Sequence, residues 1–105
     1  MSKKKVLVCA WQLDKRRGEW LEKLQSGGFE VIFNKLGRKY TSEELMERLP
    51  GIYATIASSE PYNEQTLSIA PQLKIIARWG VGHDQVDLSA ANRRGITVAM
   101  AFGAN

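Results

Sequence analysis

Apolar residues fall along this chain in short blocks of two alternating kinds. Val6-Leu7-Val8-Cys9-Ala10 has no polar alternation, the pattern of a strand covered on both faces. Trp20, Leu21 and Leu24 then recur at helical spacing while Glu19, Glu22 and Lys23 point elsewhere, and Gly27-Gly28 stops that helix. Residues 29–33 read as a second strand. Thr41, with Glu44 three positions on, opens a helix carrying Leu45, Met46 and Leu49, which Pro50-Gly51 ends. Residues 52–57 predict a third strand, 73–77 a fourth and 96–98 a fifth. Between these, one helix starts near Asn63, carries Leu67 and Ile69 and closes at Pro71. Another spans residues 84–94, carries Val86, Leu88, Ala90 and Ala91, and ends at Gly95.

Five strands separated by four helices imply βαβ units and a parallel sheet with helices on both faces. Right-handed crossovers favour a flavodoxin-like, doubly wound α/β fold of three αβα layers with strand order 2-1-3-4-5. In such sheets ligands gather outside the carboxyl ends of the strands, here the loops after Ala10, Phe33, Ala57, Ala77 and Val98. The 105 residues fit one domain, and 44% hydrophobic content with three tryptophans argues against disorder.

Charge and cysteine usage narrow the partners. Fifteen Lys+Arg against eleven Asp+Glu leave only +4, and the pairs Arg16-Arg17, Arg38-Lys39 and Arg93-Arg94 are diluted by acidic neighbours, so no nucleic-acid partner is expected. The single Cys9 excludes an intramolecular disulfide and any multi-cysteine metal site, and its apolar run makes it a buried structural thiol. With His83 the only histidine, no metal site is expected. Lys3-Lys4-Lys5 before the apolar run resembles a secretory leader, but the run is too short and Trp11-Gln12 follows where small residues should precede cleavage. No segment approaches the roughly 20 apolar residues that span a bilayer. A free thiol without a targeting signal predicts a cytoplasmic protein, away from membranes.

Candidate chemistry concentrates in Ala77-Arg78-Trp79-Gly80-Val81-Gly82-His83-Asp84-Gln85. The stretch starts like a dinucleotide fingerprint, but Gln85 occupies the third glycine position and no Asp or Glu follows Asp87, so the chain alone is expected to bind no dinucleotide. Its glycines either let backbone amides approach an anion such as a carboxylate or only permit tight strand-to-helix packing. Arg78 is suited to bidentate carboxylate binding or is a solvated arginine. His83 is a pH-sensitive contact or a surface residue. Ser58 and Ser59 donate to a ligand or cap the turn before Pro61. Trp11 and Trp79 follow strand ends, where they either pack or wall a cleft. No histidine–carboxylate pair, nucleophile elbow or paired-acid motif marks a catalytic residue.

Glu60-Pro61, the run from Leu67-Ser68-Ile69-Ala70-Pro71-Gln72-Leu73 through Gly80-Val81-Gly82-His83-Asp84-Gln85-Val86-Asp87-Leu88, then Ala90-Ala91, Arg94-Gly95-Ile96-Thr97-Val98 and Phe102-Gly103-Ala104-Asn105 together resemble the D-2-hydroxyacid dehydrogenase family, of the phosphoglycerate dehydrogenase type. Residues 1–59 match in layout only. The resemblance implies that residues 1–105 are the substrate-binding (so-called catalytic) domain of an oxidoreductase acting on the CH–OH of a 2-hydroxy acid. It implies that Gly80, Val81 and Gly82 present amides to the substrate carboxylate, and that Arg78, His83 and the Ser58-Ser59-Glu60 loop line the same cleft. His83 stands where a small or aliphatic residue is common, and Ser58-Ser59 where phosphoglycerate-specific members often carry arginine.

The resemblance also implies a hinge at Phe102, Gly103, Ala104 and Asn105, leading into an NAD-binding Rossmann domain. The family's catalytic arginine, glutamate and histidine lie in or beyond that domain, and a returning C-terminal segment completes this one. The 105 residues are therefore expected to be inactive alone, with NAD or NADP in the parent enzyme and a 2-hydroxy or 2-keto acid as substrate. Uncovered apolar surface is expected to drive self-association. The alternative is a free-standing flavodoxin-like binding or signalling module. Against it, Ala10-Trp11-Gln12 offers neither the acidic cluster of a phosphoacceptor nor a flavin phosphate loop.

Overall fold

The structure, a computed structural model, describes residues 3–78 and 85–100. In chain order the described elements are β1 (Lys4–Val8), a 3-10 turn (Trp11–Lys15), α1 (Glu19–Ser26), β2 (Phe29–Phe33), α2 (Ser42–Arg48), β3 (Ile52–Ala57), β4 (Pro61–Tyr62), α3 (Glu64–Leu67), β5 (Ile75–Arg78), β6 (Gln85–Val86), α4 (Leu88–Arg93) and β7 (Thr97–Met100). The five longer strands form one parallel sheet in the order β2-β1-β3-β5-β7. The two-residue strands β4 and β6 pair with each other in a separate ladder. Without that ladder the order is the expected 2-1-3-4-5.

The apolar run of β1 is buried on both faces because alternate side chains feed two cores. Leu7 and Cys9 join Leu45 of α2 and Leu49 just after it, Leu67 of α3, Ile76 of β5 and Ala90 and Ala91 of α4. Val6, Val8 and Ala10 join Ala54 and Ile56 of β3 on the opposite face, where Trp20 and Leu24 of α1 pack with Phe29, Val31 and Phe33. Three helices thus cover one face. Among the described residues the other carries α1 and Leu13 of the 3-10 turn, and beside them lies a groove of about 200 Å³ lined by Leu24, Phe29, Tyr53, Ile56, Ile75 and Ala77.

Local polar chemistry sets the helix starts. Thr41 accepts from the Glu44 amide at 3.1 Å while the Glu44 carboxylate accepts from the Thr41 amide at 2.9 Å, closing a capping box on α2. Arg38 donates to both carboxylate oxygens of Glu44, at 2.7 and 2.9 Å, and this guanidinium is the main cause that holds the group's pKa at about 2. Asn63 caps α3 in the same reciprocal way through Thr66.

The fourth helix differs from its expected span. It begins at Leu88, not near residue 84, because Asp87 is the cap: its side chain accepts from the Ala90 amide at 3.0 Å. The β-branched Val86 is drawn instead into the ladder opposite Tyr62, and the Asp87 amide donates to the Tyr62 carbonyl at 2.8 Å. Among the described residues no helix is long and apolar enough to cross a membrane.

Candidate functional site

Parallel pairing brings the ends of β3 and β5 to one edge of the sheet. Arg78 is the register partner of Ala57, so its backbone lies one strand spacing from the residue that leads into Ser58-Ser59-Glu60. The β4–β6 ladder ties Pro61-Tyr62 to Gln85-Val86. The loop after β3 is therefore flanked by a strand pairing on either side, β3 with β5 before it and β4 with β6 after it. Gly80, Val81, Gly82 and His83 lie outside the described residues, as do Phe102, Gly103, Ala104 and Asn105.

The three residues after β3 divide by burial. Ser59 is half-buried at the edge and Ser58 is 7% exposed. Glu60 is 0% exposed, and its Oε2 accepts from the Ser58 amide at 2.9 Å, so the carboxyl group closes the turn from inside the fold. Its Oε1 accepts no hydrogen bond. Desolvation raises the Glu60 pKa against the lowering effect of the Ser58 amide.

Beneath the turn, Cys9 Sγ and Tyr62 Oη are 3.2 Å apart, both fully buried. Desolvation, joined for Cys9 by the nearby Glu60 and for Tyr62 by Cys9, pushes both well above their ordinary values. Cys9 is thus a buried structural thiol, as its apolar run predicts; burial and Glu60 outweigh the lowering effect of Arg48, the cation that acts on it. The family resemblance points to Glu60 but not to Cys9 and Tyr62 as its neighbours, which come together only through the sheet.

Among the described residues no group of three His, Cys, Asp or Glu side chains could hold a metal ion. Nor does any glycine-rich strand-to-helix turn stand at this edge among them. After β1 comes the 3-10 turn of Trp11–Lys15, and the left-handed glycines are Gly28, Gly37, Gly51 and Gly95. What the edge offers is a cation, hydroxyl groups and a clamped loop, suited to orienting a small acid.

Residues 6–105 match the family model described as D-isomer specific 2-hydroxyacid dehydrogenase, catalytic domain. The chain is 34% identical over 88 residues to a D-3-phosphoglycerate dehydrogenase of Archaeoglobus fulgidus, covering 83% of this chain and 16% of that protein. To a glycerate dehydrogenase of Methylorubrum extorquens it is 34% identical over 98 residues, covering 93% and 29%. Its fold matches the NAD+-bound 3-phosphoglycerate dehydrogenase of Entamoeba histolytica with a TM-score of 0.72 at 28% identity, over 93% of this chain and 32% of that one. The chain thus spans less than a third of each of these relatives. By a match that takes in nearly every residue and a fold that agrees with it, the chain belongs to the D-isomer specific 2-hydroxyacid dehydrogenase family, in its catalytic domain.

Proposed function

We infer that this chain is the substrate-binding lobe of an NAD- or NADP-dependent D-2-hydroxyacid dehydrogenase, inactive on its own. The observation that supports this reading is the register of Arg78 against Ala57, which puts an arginine position and the start of the Ser58-Ser59 turn on neighbouring strands at the carboxyl edge of a doubly wound sheet, where ligands of such sheets gather. Gly80, Val81 and Gly82 would hold the carboxylate of a 2-hydroxy or 2-keto acid through backbone amides, with Arg78, Ser58, Ser59 and His83 around it. Glu60, buried under the turn, would act by fixing Ser58 and Ser59 in place. Hydride chemistry at the substrate's C2 belongs, in this reading, to a nicotinamide held by another lobe.

Titrating the chain with D-glycerate and with NAD while recording amide NMR spectra tests this reading. D-Glycerate is expected to shift Ser58, Ser59 and Gly80 to Gly82, and Arg78→Ala to weaken its binding about tenfold, the usual scale for a lost charge-assisted hydrogen bond. Saturable NAD binding by the chain, or glycerate shifts that bypass this edge, would overturn it.

The open face beside α1 supports a second part of the proposal: copies of the chain associate there, because Tyr53 and Ile75 are only half-buried around the groove. Light scattering is expected to show mass rising with concentration, and Ile75→Lys to abolish the rise. A monomer at high concentration refutes this association.

A further inference from the structure

A second cleft opens at the carboxyl ends of β1 and β2, on the sheet edge that carries the candidate substrate site but two strands away from Arg78. It has a volume of about 420 Å³ and lies between the 3-10 turn after β1 and the loop after β2. Trp11 and Leu36 line it, 37% and 43% exposed, two of the four large hydrophobic side chains left exposed among the described residues. Their convergence on one cleft is costly unless something flat and apolar covers them.

The remaining lining is cationic. Lys15, Arg16 and Lys35 all border the cleft, and none has an ion-pair partner among the described residues. The one acid in the wall, Asp14, is bound first by Arg17 at 2.6 Å and also feels Lys35 and Lys15, so a single carboxylate faces three cations and the wall keeps a positive surplus. Gln12 completes the lining, and its Oε1 is buried without a donor.

The walls are held by the fold. Asn34, 1% exposed, donates to the carbonyls of Cys9 and Arg38 at 3.0 Å each and accepts from the Leu36 amide at 2.9 Å. That one side chain joins the end of β1 to the loop carrying Lys35 and Leu36, so the two walls keep a fixed separation.

We propose that this cleft binds a small planar anion, an aromatic ring bearing a carboxylate or phosphate. The ring lies between Trp11 and Leu36, the anionic group faces Lys15, Arg16 and Lys35, and an N–H or O–H on the ring satisfies Gln12. The site is separate from the turn after β3, so it stands or falls independently of the substrate reading.

Amide and indole NMR signals of the chain, followed during titration with phenylpyruvate, AMP or inorganic phosphate, test this. Saturable shifts at the Trp11 indole N–H, Leu36 and Gly37 with either ring-bearing anion support the proposal, and which one binds identifies the source of the ring. Trp11→Ala, which removes an exposed side chain and leaves the core intact, is expected to weaken binding about tenfold, the scale of a lost stacking contact. Lys35→Glu is expected to weaken it at least as much, and raising the salt is expected to weaken the wild type. Overturning results are equal shifts with inorganic phosphate, no saturable shift with any probe, or shifts centred on Ser58, Ser59 and Arg78.

Discussion

Leu7→Ala is expected to destabilise the chain by about 3–4 kcal/mol, lowering its melting temperature by about 15 °C or more at this chain length. Leu7 is 1% exposed in β1, an interior strand of the sheet, and the core around it includes residues of α2, α3 and α4. It is enclosed by packed strands and helices, so the vacated volume stays open and the contacts are simply lost. Ile75→Ala removes a similar volume from the opposite, half-covered face and is expected to cost only about 1–2 kcal/mol, because part of that side chain already meets solvent. Urea titrations of both variants give the comparison. Equal costs would show that the two faces are equally well packed and that the groove beside α1 is not an open one.

The second large effect lies under the turn after β3. Glu60 has a folded-state pKa raised above its ordinary 4.5 by burial. A group shifted upward contributes its full stability below the unfolded pKa and loses it as pH rises through the folded value. The wild type is therefore expected to lose stability from about pH 4.5 upward, by about 1.4 kcal/mol for each pH unit that separates the unfolded and folded titrations. Glu60→Gln keeps an oxygen for the Ser58 amide and cannot ionise, so its advantage over the wild type should grow from pH 5 to pH 8. Glu60→Ala leaves that amide unpaired and a cavity beside Cys9 and Tyr62, a loss of about 2–3 kcal/mol even at pH 5. Melting curves at several pH values decide it, and parallel curves for wild type and Glu60→Gln would refute the buried-acid account.

Much of the architecture was legible in the chain because each element carries its own signal. The two-sided apolar run of β1, the Thr41–Glu44 box and Gly27-Gly28 are local patterns, and the structure uses each of them where it stands. What the sequence concealed was made by pairing at a distance. Gln85-Val86 reads as the opening of a helix until Pro61-Tyr62 is placed beside it, since a two-residue ladder has no periodicity to detect. From the sequence, Glu60 is only part of the loop that the family resemblance sets along the cleft, and its burial has no local sign. Its burial follows from Cys9 and Tyr62 meeting beneath it, and nothing near it in sequence announces that. The candidate substrate loop at Gly80 to Gly82 rests on the family resemblance alone, since neither spacing nor composition separates it from a simple packing turn.

The placing of β1 between β2 and β3 has a kinetic consequence. The first strand to be synthesised becomes an interior strand of the sheet, and Val6 must find Ala54 after two crossovers have been made. Closing those loops costs entropy before the pairing returns any, so assembly should be slow compared with a helical bundle of the same length. Until β3 emerges, the run of residues 6–10 has one flank unprotected, open to pairing with another nascent chain. The β7 edge, by contrast, can join only a sheet that already exists, which makes it the natural last step of folding.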